Sequence, residues 1–240
     1  MEDKATSEFL LQRLKSYEIK ASGLAIAVSG GVDSSLLLSV YGGKVHPYCV
    51  GNGSTSDTKY ARILCNHLHV QLEMIHIDEN MVQDFAAIVQ KIDPDIDQTD
   101  LGFETVLAVV LGNIREEGLI TGQGADEIFY GYSKFRDGRE TSNRSSMEKL
   151  KKKTLIREKN LASYFGKYLL TPYLDDEIVS AFAGLPSAYN MDLNTNKKII
   201  REAAMKHGLP GEIYNRPKKA AQYGSGVLKT MKKSNLKGMP

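Results

Sequence analysis

Apolar positions along the chain fall into short strand-like runs separated by segments of helical spacing. Leu24–Val28 is wholly apolar, and Val45–Val50 and Val70–Ile77 carry strand-like patterns. Between and after them, Ser56–His67, Asn80–Lys91 and Phe103–Glu117 show helical periodicity, the last leading into the brief apolar run Leu119–Thr121. Strands alternating with helices of this length predict an α/β fold, a doubly wound parallel sheet. The second half is helical in pattern, over Leu155–Phe165, Asp175–Phe182 and Lys197–Lys206. The expected organisation is an N-terminal helix in residues 1–20 (Phe9, Leu10, Leu14, Tyr17), an α/β core in 21–136, a mobile polar and basic loop in 137–153, and a helical part in 154–240. Ligands on such sheets bind beyond the carboxyl ends of the strands, where Ser29, Gly51 and Gly122 fall.

The first of these strand ends carries the clearest chemistry. Ser29-Gly30-Gly31-Val32-Asp33-Ser34-Ser35 follows the strand directly and runs into a helix from Ser34 to Tyr41. Glycines let backbone approach a ligand closely, and the free amides of a helix start point at an anion. Ser29, Ser34 and Ser35 add hydroxyl donors, and Asp33 adds a carboxylate suited to a hard cation such as magnesium. The pattern is not a Walker loop, because no lysine lies between Gly23 and Tyr41, and it lacks the three spaced glycines of the dinucleotide fingerprint. Ser-Gly-Gly-x-Asp-Ser-Ser resembles the loop of the ATP pyrophosphatases, which cleave ATP between its α- and β-phosphates.

Two further strand ends add to this. Val50-Gly51 precedes the polar turn Asn52–Asp57, and in pyrophosphatase-like proteins the corresponding backbone contacts adenine. Thr121-Gly122-Gln123-Gly124-Ala125-Asp126-Glu127, continuing to Phe129-Tyr130-Gly131-Tyr132, is a second strand-to-helix glycine turn that puts two carboxylates at a helix start. Asp33 and Asp126, from separate loops, are candidates to hold one magnesium bridging ATP oxygens.

Taken in order, the serine–glycine loop, Gly-x-Gly-Ala-Asp-Glu-x-Phe-x-Gly-Tyr and Thr171-Pro172-Tyr173-Leu174-Asp175 resemble the synthetase domain of asparagine synthetases. Arg216-Pro217-Lys218-Lys219-Ala220-Ala221-Gln222-Tyr223-Gly224-Ser225-Gly226 is similar to that domain's C-terminal lysine loop, and the resemblance spans roughly residues 20–230. β-Lactam synthetases share the domain. The resemblance implies an adenine-nucleotide α-hydrolase-like fold and an AMP-forming ligase using ATP and Mg²⁺: a carboxylate is adenylated, pyrophosphate leaves, and ammonia or an amine then expels AMP. It implies that Val28, Ser29, Gly30, Gly31, Asp33, Ser34 and Ser35 hold the phosphates, with Val50, Gly51, Thr121, Gly122 and Gln123 around the nucleotide. Asp33 and Asp126 would hold magnesium, and Lys218 would stabilise the charged intermediate, with Lys219 the alternative one residue away.

Three positions depart from the family. Gln123 stands where a glutamate is usual, and Gly102 and Leu170 stand nearest to two usual arginines. Losing two guanidiniums removes the bidentate clamps an aspartate acceptor needs. A chain starting Met1-Glu2-Asp3 also lacks the N-terminal cysteine of the family's glutaminase domain, so the nitrogen is expected from ammonia, an amine substrate or a separate glutaminase subunit. A PP-loop tRNA-modifying enzyme and a non-catalytic ATP-binding subunit are the competing readings.

Composition adds constraints. In 240 residues, 25% charged and 42% hydrophobic, the net charge of +2 demands no nucleic-acid partner. The lysine run 149–153 is short enough to be ordinary solvated surface. No stretch is long and apolar enough for a membrane span, Cys49 and Cys65 match no zinc or dithiol spacing, and a cytoplasmic setting is expected. Asp93, Asp95, Asp97 and Glu104 have calcium-loop spacing but Gln98 occupies the required glycine, so they are expected to form an acidic loop. His67 and His69 diverge on a helix and make a poor metal pair.

Overall fold

The fold was read from a computed structural model, which describes residues 5–17, 19 and 23–237, with side chains to residue 233. In the first half, α1 (Ser7–Ser16) precedes β1 (Leu24–Ala27), α2 (Val32–Tyr41), β2 (Val45–Val50), α3 (Ser56–His67) and β3 (Glu73–Ile75). Two long helices, α4 (Glu79–Ile92) and α5 (Gln98–Asn113), lead to β4 (Gly118–Ile120) and three short helices, α6 (Ala125–Ile128), α7 (Ser133–Arg136) and α8 (Arg144–Lys149). Then come α9 (Leu155–Tyr164), β5 (Tyr168–Leu170), α10 (Asp176–Phe182) and α11 (Lys198–Lys206). The chain closes with α12 (Gly211–Tyr214), α13 (Ala221–Gly224) and α14 (Val227–Lys237).

The five strands form one wholly parallel sheet in the order β3-β2-β1-β4-β5. β1 is central: Ile26 lies opposite Pro47 on one side and Ile120 on the other. Its residues alternate between two cores, which is what a strand covered on both faces requires. Leu24, Ile26 and Val28 pack with Leu36–Leu38, Phe182, Ile200 and Ala203, so α1, α2, α3, α10 and α11 cover that face. Ala25 packs with Val82, Val89, Ala108, Leu119 and Leu161, placing α4, α5 and α9 on the other. The expected doubly wound sheet is therefore present. The order reverses direction at β1 and β4, whose carboxyl ends carry the two glycine turns.

Two expectations need correction. The second half is not wholly helical, because Tyr168–Leu170 forms the edge strand β5 and pairs with β4. Three residues are too few to show an alternation, so the sequence pattern carries no sign of it. Residues 137–153 are not a loop throughout. From Arg144 they are helical, and they continue into α9 through a π-helical turn at Leu150–Thr154. Asn143, Met147 and Leu150 are buried, so this segment packs on the core while its lysines stay at the surface.

The acidic stretch 93–104 also resolves. Asp97 caps α5, accepting from the amides of Thr99 and Asp100 at 2.9 Å, while Asp93, Asp100 and Glu104 converge on Arg157. Cys49 and Cys65 are both free and buried. No helix among the described residues is long and apolar enough to cross a membrane.

Candidate active site

The serine–glycine loop is held in shape by its own hydroxyls. Ser29 N donates to Ser34 Oγ at 3.3 Å, Gly31 N donates to Ser29 Oγ at 3.2 Å, and Ser34 Oγ donates to Gly31 O at 3.2 Å. Gly30 adopts φ of 71°, and a Cβ there would lie 2.5 Å from Tyr60 Cβ. Only glycine lets the loop turn so close to α3. Val28, Val50 and Ser35 are buried at the strand ends and first helical turn, and Ser35 Oγ has no hydrogen-bond partner.

The second glycine turn lies against the first. A Cβ on Gly122 would sit 3.3 Å from Asp33 Cβ, which brings Thr121, Gly122 and Gln123 beside the serine–glycine loop. Tyr173, from the Thr171–Asp175 motif, donates from its hydroxyl to Asp33 O at 3.1 Å. Asp175 caps α10 and pairs with Arg13 at 3.2 Å, a structural role.

Asp33 and Asp126 do come together, but around an ammonium that the sequence reading passed over. Lys197 Nζ lies 2.5 Å from Asp33 Oδ2 and 2.6 Å from Asp126 Oδ1, and this lysine is 1% exposed. It stands just before α11 in the left-handed conformation, with φ of 54°. Gly131 makes room for the cluster, since a Cβ there would collide with Asp126 Oδ1 and Lys197 Cε. Burial opposes charge on Asp126, but Lys197 and Lys218 outweigh it and hold the carboxyl well below its ordinary value. Burial likewise opposes charge on Lys197, and Asp126 and Asp33 reverse the sign and raise it. One signal for Lys197 was present: a cation at a helix start runs against the helix dipole, so two lysines at 197 and 198 needed carboxylates nearby.

The two candidate lysines of the C-terminal loop separate clearly. Lys218 Nζ donates to Asp126 Oδ2 and lies 5.9 Å from the Tyr132 ring centre. Lys219 is exposed and forms no ion pair among the described residues. The loop is anchored by arginines on either side of it in space. Arg201 donates to Tyr214 O at 2.5 Å and to Arg216 O at 3.1 Å. Arg216 in turn donates to Ser29 O at 2.5 Å and pairs with the buried Asp57 at 2.6 Å. The lysine loop is thus tied to the backbone of the serine–glycine loop itself.

Among the described residues no group of three or more His, Cys, Asp or Glu side chains is arranged to hold a metal. The two aspartates still suit magnesium, which takes one or two carboxylates and completes its shell with phosphate oxygens and water. Asp33 Oδ1 is buried without a hydrogen-bond partner, an acceptor left open in the serine–glycine loop.

With this geometry in place, sequence comparison gives the family. A profile of the asparagine synthase family matches residues 21–169 and 144–237. The chain belongs to the asparagine synthase family. A putative asparagine synthetase [glutamine-hydrolyzing] 1 of Methanocaldococcus jannaschii is 31% identical over 96% of this chain and 50% of its own length. The asparagine synthetase of Zea mays is 26% identical over 84% of this chain and 39% of its own length. A mouse asparagine synthetase domain-containing protein 1 is 33% identical over 50% of this chain and 21% of its own. The chain therefore spans half or less of the length of these relatives.

Proposed function

We propose that this chain is an ATP-dependent, AMP-forming ligase that adenylates a carboxylate for attack by a nitrogen nucleophile. The observation that carries this reading is the meeting of the glycine–serine loop, Asp33, Asp126, Lys197 and Lys218 at the carboxyl ends of β1 and β4. A carboxylate cannot accept an amine directly, because its oxygen is a poor leaving group. Attack of that oxygen on the α-phosphorus of ATP makes an acyl-adenylate and expels pyrophosphate. The protein's task is to orient the reactants and to balance charge developing on the leaving groups.

Each residue has a part in that task. The amides and hydroxyls of Ser29, Gly30, Gly31, Ser34 and Ser35 cradle pyrophosphate, with Val28, Val50, Gly51, Thr121, Gly122 and Gln123 around the nucleotide. Asp33 and Asp126 hold magnesium, which, when bound, neutralises phosphate charge. Lys218, tethered to Asp126 until ATP arrives, turns to the phosphates and the intermediate; Lys197 stays buried and holds the two aspartates together. Lys219 has no part in the chemistry. The nitrogen comes from ammonia, an amine substrate or a separate glutaminase subunit, and aspartate is disfavoured as acceptor by Gly102 and Leu170.

Pyrophosphate exchange into ATP, screened against carboxylic acids and tRNA, tests the reading. Acid-dependent exchange supports it, tRNA-dependent exchange replaces it with a base-modifying enzyme, and a protein that binds ATP with no exchange at all is a binding subunit.

A further inference from the structure

Arg216 is buried where three segments around the site meet, and the chemistry proposed above gives it no part. One terminal nitrogen of its guanidinium donates to Ser29 O at 2.5 Å. The other donates to Ser56 Oγ at 2.9 Å and to Asp57 Oδ1 at 2.6 Å. The same guanidinium lies over the Tyr60 ring, 4.3 Å from its centre. The surroundings leave it no slack: a Cβ on Gly30 would lie 2.5 Å from Tyr60 Cβ, and one on Gly224 would collide with Asp57 Oδ1. The serine–glycine loop, the first turns of α3 and the loop from Arg216 to Gly224 therefore close on one side chain.

Stability alone does not call for this arrangement. The Arg216 and Asp57 side chains are both 4% exposed, and burial raises the Asp57 carboxyl although Arg216 lowers it. Buried ion pairs are often no more stabilising than apolar residues of the same size, and their best-attested use is to fix one register. A rigid fork of five donors suits that use, since it can hold a carbonyl, a hydroxyl and a carboxylate together and still stack on a ring. Pro217, Lys218 and Lys219 beyond it are exposed, so apart from the contact of Lys218 with Asp126 this stretch takes its position from its buried end. Pro217 has a fixed φ, which stiffens the link between Arg216 and Lys218.

We propose that Arg216 is a positioning residue for Lys218: by gripping Ser29 O with one nitrogen and Asp57 with the other, it makes the placement of the Lys218 ammonium depend on the shape of the serine–glycine loop. The proposal rests on the ligase reading and adds a coupling between its two loops. When ATP draws the serine–glycine loop around its phosphates, Arg216 follows Ser29 O and carries Lys218 from Asp126 toward the same oxygens.

Two measurements test the coupling. The first is pyrophosphate exchange at saturating ATP, with a carboxylic acid that the wild-type chain accepts, in Arg216→Lys, Lys218→Ala and the double variant. Lysine keeps a charge beside Asp57 but loses the fork. Arg216→Lys should slow exchange about 10²-fold, the cost of misplacing a group by about 1 Å, with a far smaller change in calorimetric ATP affinity. In the Lys218→Ala background it should cost little more, because a residue that acts through Lys218 then has nothing left to place. A full loss in both backgrounds, or a loss of ATP affinity as large as the loss of rate, would overturn the proposal and leave Arg216 a support of the serine–glycine loop. Asp57→Asn takes the place of Arg216→Lys, with the same expectation, if that variant does not fold.

The second is backbone hydrogen exchange, which needs ATP binding but no turnover. ATP with magnesium should slow exchange at residues 29–35 and 218–224 together in the wild-type chain, and at 29–35 alone in Arg216→Lys. Protection of 29–35 without 218–224 in the wild-type chain, or of both in the variant, would overturn the coupling. Absence of acid-dependent pyrophosphate exchange in the wild-type chain would overturn the ligase reading instead, and hydrogen exchange then decides the coupling by itself. No protection of either segment would overturn both.

Discussion

Two charge clusters flank the Gln123 turn, and they are built on opposite plans. Around Asp33 and Asp126, two carboxylates meet two ammonium groups, and all four are held in place by short contacts. Around Glu104 and Glu158, acids outnumber cations, and oxygens are left open. A neutral cluster can exchange one partner for another without a large change in buried charge, as the proposed function asks of Lys218 on Asp126. On the proposed function, the phosphates belong to the neutral side of the turn.

Breaking the neutral cluster should have the largest effect. Lys197→Met leaves the partly exposed Asp33 without its partner, and removing the buried member of such a pair costs up to about 3–5 kcal/mol. Denaturant melts should show that loss, and adding Asp33→Asn should recover part of it, because both partners are then gone. A single variant as stable as the parent would mean that the ammonium is a bystander.

Lys218→Ala comes next. Losing one placed charge stabiliser in a preorganised site costs about 10²–10³ in rate. Single-turnover measurements should show that loss with a much smaller change in calorimetric ATP affinity, while Lys219→Ala behaves nearly as the parent. A large loss at Lys219 with none at Lys218 would move the role by one residue.

The acidic cluster is sharpened by pH. Burial pushes the Glu104 carboxyl up to about 7, with Arg157 opposing and Asp100 and Asp93 adding to the rise. The folded chain therefore holds this proton more tightly than the unfolded one. Its contribution to stability is complete below the unfolded value of about 4.3 and is lost as pH rises toward 7. Melting temperature should fall less steeply across that window in Glu104→Gln than in the parent; an identical slope would remove Glu104 as its source.

The neutral cluster was partly legible in the sequence, and the acidic one was not. The β1–loop–α2 unit is contiguous, so an apolar run, two glycines and three hydroxyls announced it. The bounds of α3, Ser56–His67, matched because its polar start and apolar face lie in one window. Lys197 and Asp33 are 164 residues apart in sequence, and Arg157 and Glu104 are 53 apart. Nothing local marks either pair before the chain folds. The calcium-like spacing of residues 93–104 had a real cause in common charge, but its cation was Arg157 on α9 rather than a metal. In residues 144–153 the lysines masked the apolar Met147 and Leu150, which is why a packed helical segment read as a loop.

Asp33→Asn is the mildest of the changes and reports on magnesium, since it removes charge from the aspartate whose Oδ1 is open. Turnover should need more magnesium to reach half its maximum, by about the tenfold that 1.4 kcal/mol represents. An unchanged magnesium titration would take Asp33 out of the metal site.

The most direct test of the account is the identity of the nucleotide products. With ATP, magnesium, an accepted carboxylic acid and an ammonium donor, phosphorus NMR should show AMP and pyrophosphate rising together in equal amounts. ADP and orthophosphate as the sole products would contradict cleavage between the α- and β-phosphates, and with it the assignment of the glycine–serine loop to pyrophosphate.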